Sequence, residues 1–397
     1  MKKAFMSTLI RGNRDLIKAM NRSLLLNIIR REGRISRKQL TDISGLSVGA
    51  VSGIITELLS HGWILEVGEG DFTGGRRQTL IKLNAKAGYA IGLKLMETRI
   101  VAAVSNFEGQ VLYYQELSNQ YDNDLDKLVE TISSVIQSTL IQSKIPVDKA
   151  FGVGIGLAGV IYSQTGIVHY SPFFGWRDVP LAKRVEERIQ LAVYIENDVN
   201  TLTITEQLFG EGRQYNNFVV VTVGRGIGMG IVINGQLYRG AKGGAGELGH
   251  TTIARMSNND KQINYASLED MASDPAILKD QSEISTIGEL AIQAEIGNQR
   301  MQSLLLQSGE MLGIGLANII NILSPELVIV SGEGLVAGDY RIKPMIKAMN
   351  EHTFNGLLDD VDVVVVPTDD QVWARGAANL VISKVFASPI VDAQVEA

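Results

Sequence analysis

A chain of 397 residues exceeds one ordinary hydrophobic core and should divide into two or three domains, which its 45% hydrophobic and 20% charged residues can fill. It has no cysteine, which excludes disulfides, thiolate zinc sites and cysteine nucleophiles. Charge divides unevenly. Residues 1–83 carry 14 Lys and Arg against 7 Asp and Glu, and the remainder 23 against 36, so a head of +7 precedes a body of −13. That asymmetry suggests a nucleic-acid-binding unit on a body that does not itself bind polyanions.

The first residues are basic and then apolar, as in a leader, but Arg11-Gly12-Asn13-Arg14 cuts the segment short with no small-residue cleavage site. No apolar run reaches spanning length, so a cytoplasmic protein with no membrane partner is expected. Over 22–32, Leu24, Leu25, Ile28 and Ile29 recur at helical spacing, and Gly33 stops the helix. Ser36 suits the N-cap of a second helix over 37–44, with Leu40 and Ile43 inward, and Gly45-Leu46 makes the turn. Ser47 caps a third helix through Ser60, burying Val51, Ile54, Ile55, Leu58 and Leu59. Strands over 63–67 and 79–83 flank a loop tipped by Gly74-Gly75-Arg76-Arg77.

Residues 1–83 therefore read as a winged helix-turn-helix on double-stranded DNA, the third helix in the major groove and the wing at a phosphate or the minor groove. Arg37 and Lys38 suit phosphates, and Arg76 and Arg77 a narrow minor groove. The third helix offers Ser47, Ser52 and Thr56 beside Val48, Gly49, Ala50 and Gly53, but no Arg, Lys, Asn or Gln. Readout from it would rest on hydroxyls, thymine-methyl contacts and DNA shape. The alternative is a winged helix used for protein contacts.

Past Asn84, strands over 90–95, 100–106 and 111–115 form a meander that 218–223, 228–233 and 236–238 repeat, Asn234-Gly235-Gln236 mirroring Glu108-Gly109-Gln110. The body is thus an α/β duplication with a cleft between its halves. Its first half, 84–198, is completed by the last helix over 372–386 within 372–397; its second half is 199–371. Between the meanders lie a helix over 124–143, a strand over 151–157, a helix over 181–190, a strand over 192–196 and a helix over 200–209. The second half adds helices over 290–307 and 310–323 and strands over 327–331 and 361–366.

Two stretches carry the candidate chemistry. Asn197-Asp198 closes the strand over 192–196 before a helix start, where open α/β sheets place ligand groups; the alternative for Asp198 is an N-cap. Gly243-Gly244-Ala245-Gly246-Glu247-Leu248-Gly249-His250, with Glu269 shortly after, leaves one carboxylate and one imidazole on a backbone free of side-chain bulk. Carboxylate oxygens accept from hydroxyls and neutral imidazole both donates and accepts, which suits adjacent sugar hydroxyls. A glycine-rich surface loop with a stray acid and histidine is the other possibility.

Duplicated meanders behind a winged helix, with Gly33-Arg34-Ile35-Ser36-Arg37, Gly74-Gly75-Arg76-Arg77, Gly154-Ile155-Gly156-Leu157-Ala158-Gly159, Gly175-Trp176, Glu196-Asn197-Asp198, Gly246-Glu247-Leu248-Gly249-His250 and Ser267-Leu268-Glu269, resemble the ROK family of repressors and sugar kinases over nearly the whole chain. The resemblance implies an actin-like, two-lobed ATPase-type body with sugar ligands at Asn197, Asp198, Glu247, His250 and Glu269. The matching Asp is the general base in family kinases. Four departures stand out. Family kinases have an Asp-x-Gly-Gly-Thr phosphate loop where this chain has Gly92-Leu93-Lys94-Leu95-Met96-Glu97-Thr98, which opposes both the geometry and the charge of a phosphate cradle. Arg225 replaces a small hydroxyl residue in Gly224-Arg225-Gly226-Ile227-Gly228, which reads better as a glycine-rich hairpin, and Gly332-Glu333-Gly334 is a weak adenosine site. Asp260, Gln262 and Ser267 stand where the family has three zinc-binding cysteines, so no metal is expected, 254–264 should be more mobile, and His250 needs another orienting hydrogen bond. Phe173 stands where the family often has a sugar-contacting Asn.

The expected function is accordingly a sugar-responsive repressor, without cofactor or catalysis, that binds operator DNA as a homodimer or homotetramer with a monosaccharide between the lobes. An ATP-dependent sugar kinase with a DNA-binding head, or a constitutive DNA-binding scaffold with a vestigial pocket, are the rivals.

Overall fold

Caps and left-handed glycines divide the amino-terminal segment into three helices. In the computed structural model, which describes residues 14–69, 78–119, 121–122, 124–257, 263–367 and 371–388, Arg14–Glu32 ends before Gly33 at φ +76° and Arg37–Ser44 before Gly45 at φ +67°. Ser36 forms a capping box with Gln39, and the Ser47 hydroxyl accepts the Ala50 N–H at the head of Val48–Ser60. Strands Ile64–Glu69 and Thr79–Leu83 pair antiparallel, and Ile35 and Ser36 add to the other edge of Thr79–Leu83. Leu25, Leu26, Ile28, Ile29, Leu40, Ile55, Leu58, Ile64 and Ile81 form the core. Leu24 and Ile43, expected inside, are 41% and 48% exposed. Leu26 is buried instead, and the first helix starts at Arg14 instead of 22. The loop tip with Arg76 and Arg77 lies outside the described residues.

Two compact units result: Met1–Gly88 with Asn106–Glu108 and Ile382–Ala397, and Tyr89–Ser105 with Gly109–Val381. In the first, Phe107 stacks on Phe386 with ring centroids 5.1 Å apart, Trp63 meets Phe107 edge-on at 6.1 Å, and the Arg30 guanidinium lies 5.5 Å from the Phe386 centroid. Ser23 and Asn27 donate to the Phe386 carbonyl at 2.7 and 2.8 Å, satisfying a group the helix end leaves free.

The second unit is a duplication. One sheet runs Val193–Asn197, Ala150–Leu157, Tyr89–Leu95, Arg99–Asn106, Val111–Ser118, and the other, in matching order, Asp362–Pro367, Leu327–Gly332, Phe218–Val223, Ile227–Ile233, Gln236–Tyr238. The first three strands of each are parallel. Helix Asp198–Phe209 and the last helix, Gln371–Phe386, pack close to these sheets. A Cβ on Gly92 or Gly154 would strike Ala374, Ala377 or Ala378, and one on Gly376 would strike Thr201. Leu202 packs with Phe218 and Val220, and Val372 and Trp373 pack against the same cluster.

Three expectations change. Helices over 290–307 and 310–323 are instead Ile287–Glu295 and a continuous Gln299–Leu323, broken at Gly297 with Asn298 as cap. Ser308-Gly309 is no break: Gly309 lets the helix approach the Arg341 backbone. Gln299–Leu323 is also long and apolar enough to cross a membrane, contrary to expectation, but Leu312, Leu316, Ile319 and Ile320 are buried in the core of the second sheet. Strands Val160–Tyr162, Ile167–Ser171 and Trp176–Val179 form a small sheet not anticipated.

Arg341 is fully buried and donates to Asp274 at 2.9 Å, to the Gly334 carbonyl at 3.0 Å and to the Ala272 carbonyl, tying the base of helix Leu268–Ala272 to the loop after Leu327–Gly332. Arg341→Met strands the Asp274 carboxylate in the interior. A loss of about 3–5 kcal/mol in urea unfolding is expected, and a loss under about 1 kcal/mol would mean that water reaches the pair.

Candidate functional site

On the winged-helix unit the exposed face of Val48–Ser60 presents Val48, 72% exposed, with Gly49, Ser52, Gly53 and Thr56. Two of the three expected hydroxyls are already engaged: Ser47 caps its helix, and Thr56 donates to the Ser52 carbonyl at 2.9 Å. Arg37 reaches Ser52 at 3.5 Å and pairs with Glu66 at 3.2 Å. This supplies a guanidinium to a helix that has none of its own, a placement that helix periodicity cannot reveal because it depends on how two helices cross. Lys38 is exposed beside it.

In the body, most of the expected polar residues converge. Asn197, not Asp198, is the N-cap of Asp198–Phe209: its oxygen accepts the Val199 and Asn200 N–H groups and its amide donates to the Gly159 carbonyl at 3.1 Å. Its side chain is largely committed to the fold. Asp198, buried in the helix's first turn, takes the Val199 N–H on Oδ1 and the Lys94 ammonium on Oδ2. Glu269 accepts the Ile227 N–H at 2.9 Å. His250 Nε2 lies 3.8 Å from the Glu247 carboxylate, and both side chains are open to solvent on one side.

The glycine stretch serves this convergence. A Cβ on Gly246 would meet the Met229 carbonyl, and one on Gly249 the Ile227 carbonyl and the Glu269 carboxylate. The glycines thus permit close packing on strand Ile227–Ile233, which sets Glu247 beside Glu269. Desolvation pushes the Glu247 pKa above its ordinary value; His250 opposes the shift, and the charges of Glu269 and Asp198 add to it. Three carboxylates therefore feel one another in one place.

Sequence reading gave no site role to Lys94, Trp373, Glu196 or Arg239. Lys94, at the end of Tyr89–Leu95, is buried between Asp198 and the Trp373 ring, 4.6 Å from its centroid. Glu196 is buried and accepts from the Asn197 N–H and the Asn200 amide, both at 3.0 Å, and from Arg239 at 2.6 Å. The only sequence signal was a lysine in an otherwise apolar strand.

Where a phosphate cradle would lie, carboxylates stand instead. The turn Gly224-Arg225-Gly226 joins two antiparallel strands as the expected hairpin, and the Glu333 carboxylate takes the Arg225 N–H at 3.3 Å. The Arg225 guanidinium pairs with Glu97 at 2.5 Å and lies 4.2 Å from the Phe173 ring centroid. Burial alone would raise the Glu97 pKa, but the hydrogen bonds from Arg225 and its own backbone outweigh this and hold it low. Of the positions matched to the family's zinc ligands, Asp260 and Gln262 lie outside the described residues, as do 258–262 of the segment expected to be mobile, and Ser267 caps helix Leu268–Ala272.

A family model described as "ROK family" matches residues 90–384, and one described as "Winged helix-turn-helix DNA-binding" matches residues 21–64. The xylose repressor of Caldicellulosiruptor bescii is 30% identical over 395 residues, which span 95% of this chain and 99% of that protein. A solved ROK family transcriptional regulator, a homologue of the E. coli MLC protein, aligns with a TM-score of 0.79 at 24% identity over 96% of this chain and 100% of its own. A ROK family glucokinase from Streptomyces griseus, in complex with glucose and AMPPNP, aligns with a TM-score of 0.61 at 24% identity over 74% of this chain and 99% of its own. At these identities the two structures speak to fold alone.

The raised Glu247 pKa has a testable sign. A carboxyl whose folded pKa exceeds its unfolded value stabilises fully below the unfolded pKa and loses that contribution as pH rises through the folded value. Glu247→Gln should therefore melt above the wild type at neutral pH, with the gap closing in acid. Thermal denaturation from about pH 4 to about pH 8 checks this; a gap that widens in acid would contradict it.

Proposed function

The chain belongs to the ROK family, and from that premise we propose that it is a transcriptional repressor that reads operator DNA with its winged helix and senses a monosaccharide at Asp198, Glu247, His250 and Glu269, with Asn197 shaping the backbone beneath them. It is a regulator, not an enzyme. The observation that carries this is the pairing of Glu97 and Glu333 with Arg225, which puts negative charge where a nucleotide's phosphates would need N–H donors. The acceptor cluster remains, suited to hydroxyls and not to phosphoryl transfer. A relative named a xylose repressor supports an aldose as the effector.

The sugar alters DNA affinity only to the extent that it binds one state of the protein better than the other. We place the protein in the cytoplasm as a homodimer or homotetramer on a palindromic operator, with half-site centres about 34–36 Å apart or a multiple of that. Arg37 and Lys38 contact phosphates, and Arg76 and Arg77 the minor groove. The exposed Val48, with Ser52 and Thr56, faces bases, and Ser47 holds the helix start in position.

Operator binding by fluorescence anisotropy across a salt series tests this. Affinity should fall steeply with salt, and Arg37→Ala should weaken binding and flatten the log–log slope by about 1 without changing sugar affinity. In parallel, a sugar at about 100 times its dissociation constant should add about 2.7 kcal/mol of stability. Failure of pentoses, hexoses and amino sugars alike to shift melting would leave a DNA-binding scaffold with no effector.

A further inference from the structure

Resting on that sugar-sensing role, we propose that Lys94 is an effector-binding residue, the buried donor that completes the acceptor cluster and restricts the ligand to an uncharged sugar. Lys94 is 8% exposed and its ammonium sits against Asp198 on one side and the Trp373 ring on another. Asp198, Glu247 and Glu269, when ionised, only accept hydrogen bonds, whereas each sugar hydroxyl both donates and accepts. A pocket of acceptors alone would leave the sugar's own lone pairs desolvated and unmatched. Neither His250 nor Arg239 supplies a buried donor, their side chains being 69% and 32% exposed. An ammonium has three N–H groups, and Asp198 receives one of them here, so Lys94 retains donors for a hydroxyl while it orients the Asp198 carboxylate.

Charge decides the class of ligand. Around Lys94 and Arg225 stand Glu97, Asp198, Glu247 and Glu269, and each of the two cations is already paired with one of these acids. The excess is negative, so a sugar phosphate or sugar acid meets repulsion that these two cations, already paired, do not offset.

Isothermal titration of the full chain with D-xylose, D-glucose, N-acetyl-D-glucosamine and glucose 6-phosphate tests the assignment. At least one uncharged sugar should bind, glucose 6-phosphate should bind more weakly than glucose or not at all, and Lys94→Met should weaken the sugar that binds by about 10- to 100-fold, the loss of a charge-assisted hydrogen bond. Lys94→Arg, which keeps the cation and its donors, should recover much of that loss. Should Lys94→Met leave the buried Asp198 charge too costly to fold, Lys94→Gln serves in its place. Wild-type affinity in Lys94→Met and Lys94→Gln overturns the role of Lys94 while leaving the sugar-sensing function standing, and tighter binding of glucose 6-phosphate than glucose overturns the ligand class. A wild type that binds none of the four sugars overturns both this assignment and the sugar-sensing function beneath it.

Discussion

The body rests on how closely its last helix approaches the first sheet. Gly92 and Gly154 lack the Cβ atoms that would hold Ala374, Ala377 and Ala378 away, and Gly376 does the same for Thr201 on the neighbouring helix. Two helices therefore share the space beside the sheets, and the polar groups they bury must be satisfied locally. Thr201, Thr203 and Thr205 donate to carbonyls three or four residues back, and Asn379 donates to Thr205. From that packing follows the position of the first turn of Asp198–Phe209, which delivers Asp198 to Lys94 with Trp373 behind it. A larger residue at any of those glycines would move the site without touching it.

The site itself is assembled against electrostatic preference. Burial pushes the Glu247 pKa up, His250 opposes the shift, and the gathered charges of Glu269 and Asp198 add to it. Such crowding costs stability, and the hydroxyl donors of the proposed sugar would relieve it. The turn at Arg225 is neutralised in the same way. Carboxylates of Glu97 and Glu333 satisfy the guanidinium and backbone N–H of Arg225, donors that would otherwise be offered to an anion.

Local signals were read well and cross-chain ones poorly. Caps at Ser36 and Ser47, stops at Gly33 and Gly45, and the matched meanders follow from neighbouring residues, so the winged helix and the duplicated body were legible. The boundary expected between 307 and 310 falls inside a continuous helix, because Gly309 there lets two helices touch, and its partner is not visible in the local sequence. Leu24 and Ile43 were assigned inward because an apolar residue beside a buried stripe carries no mark of which side of the boundary it falls on. Asn197, expected as a ligand, is the cap for a related reason: it keeps a non-helical backbone, and the helix starts at Asp198, two residues earlier than the expected 200.

The sequence by itself determined the division into a basic winged helix and an acidic duplicated body, since both depend on residue types at short spacing, and it named the acids and imidazole that the proposed function uses. Tertiary structure decided which of these meet. Lys94 and Asp198, 104 positions apart, become a buried pair, and Arg37 is laid over Ser52 on another helix. Contacts of that kind are set by packing between elements, through close approaches that periodicity does not encode.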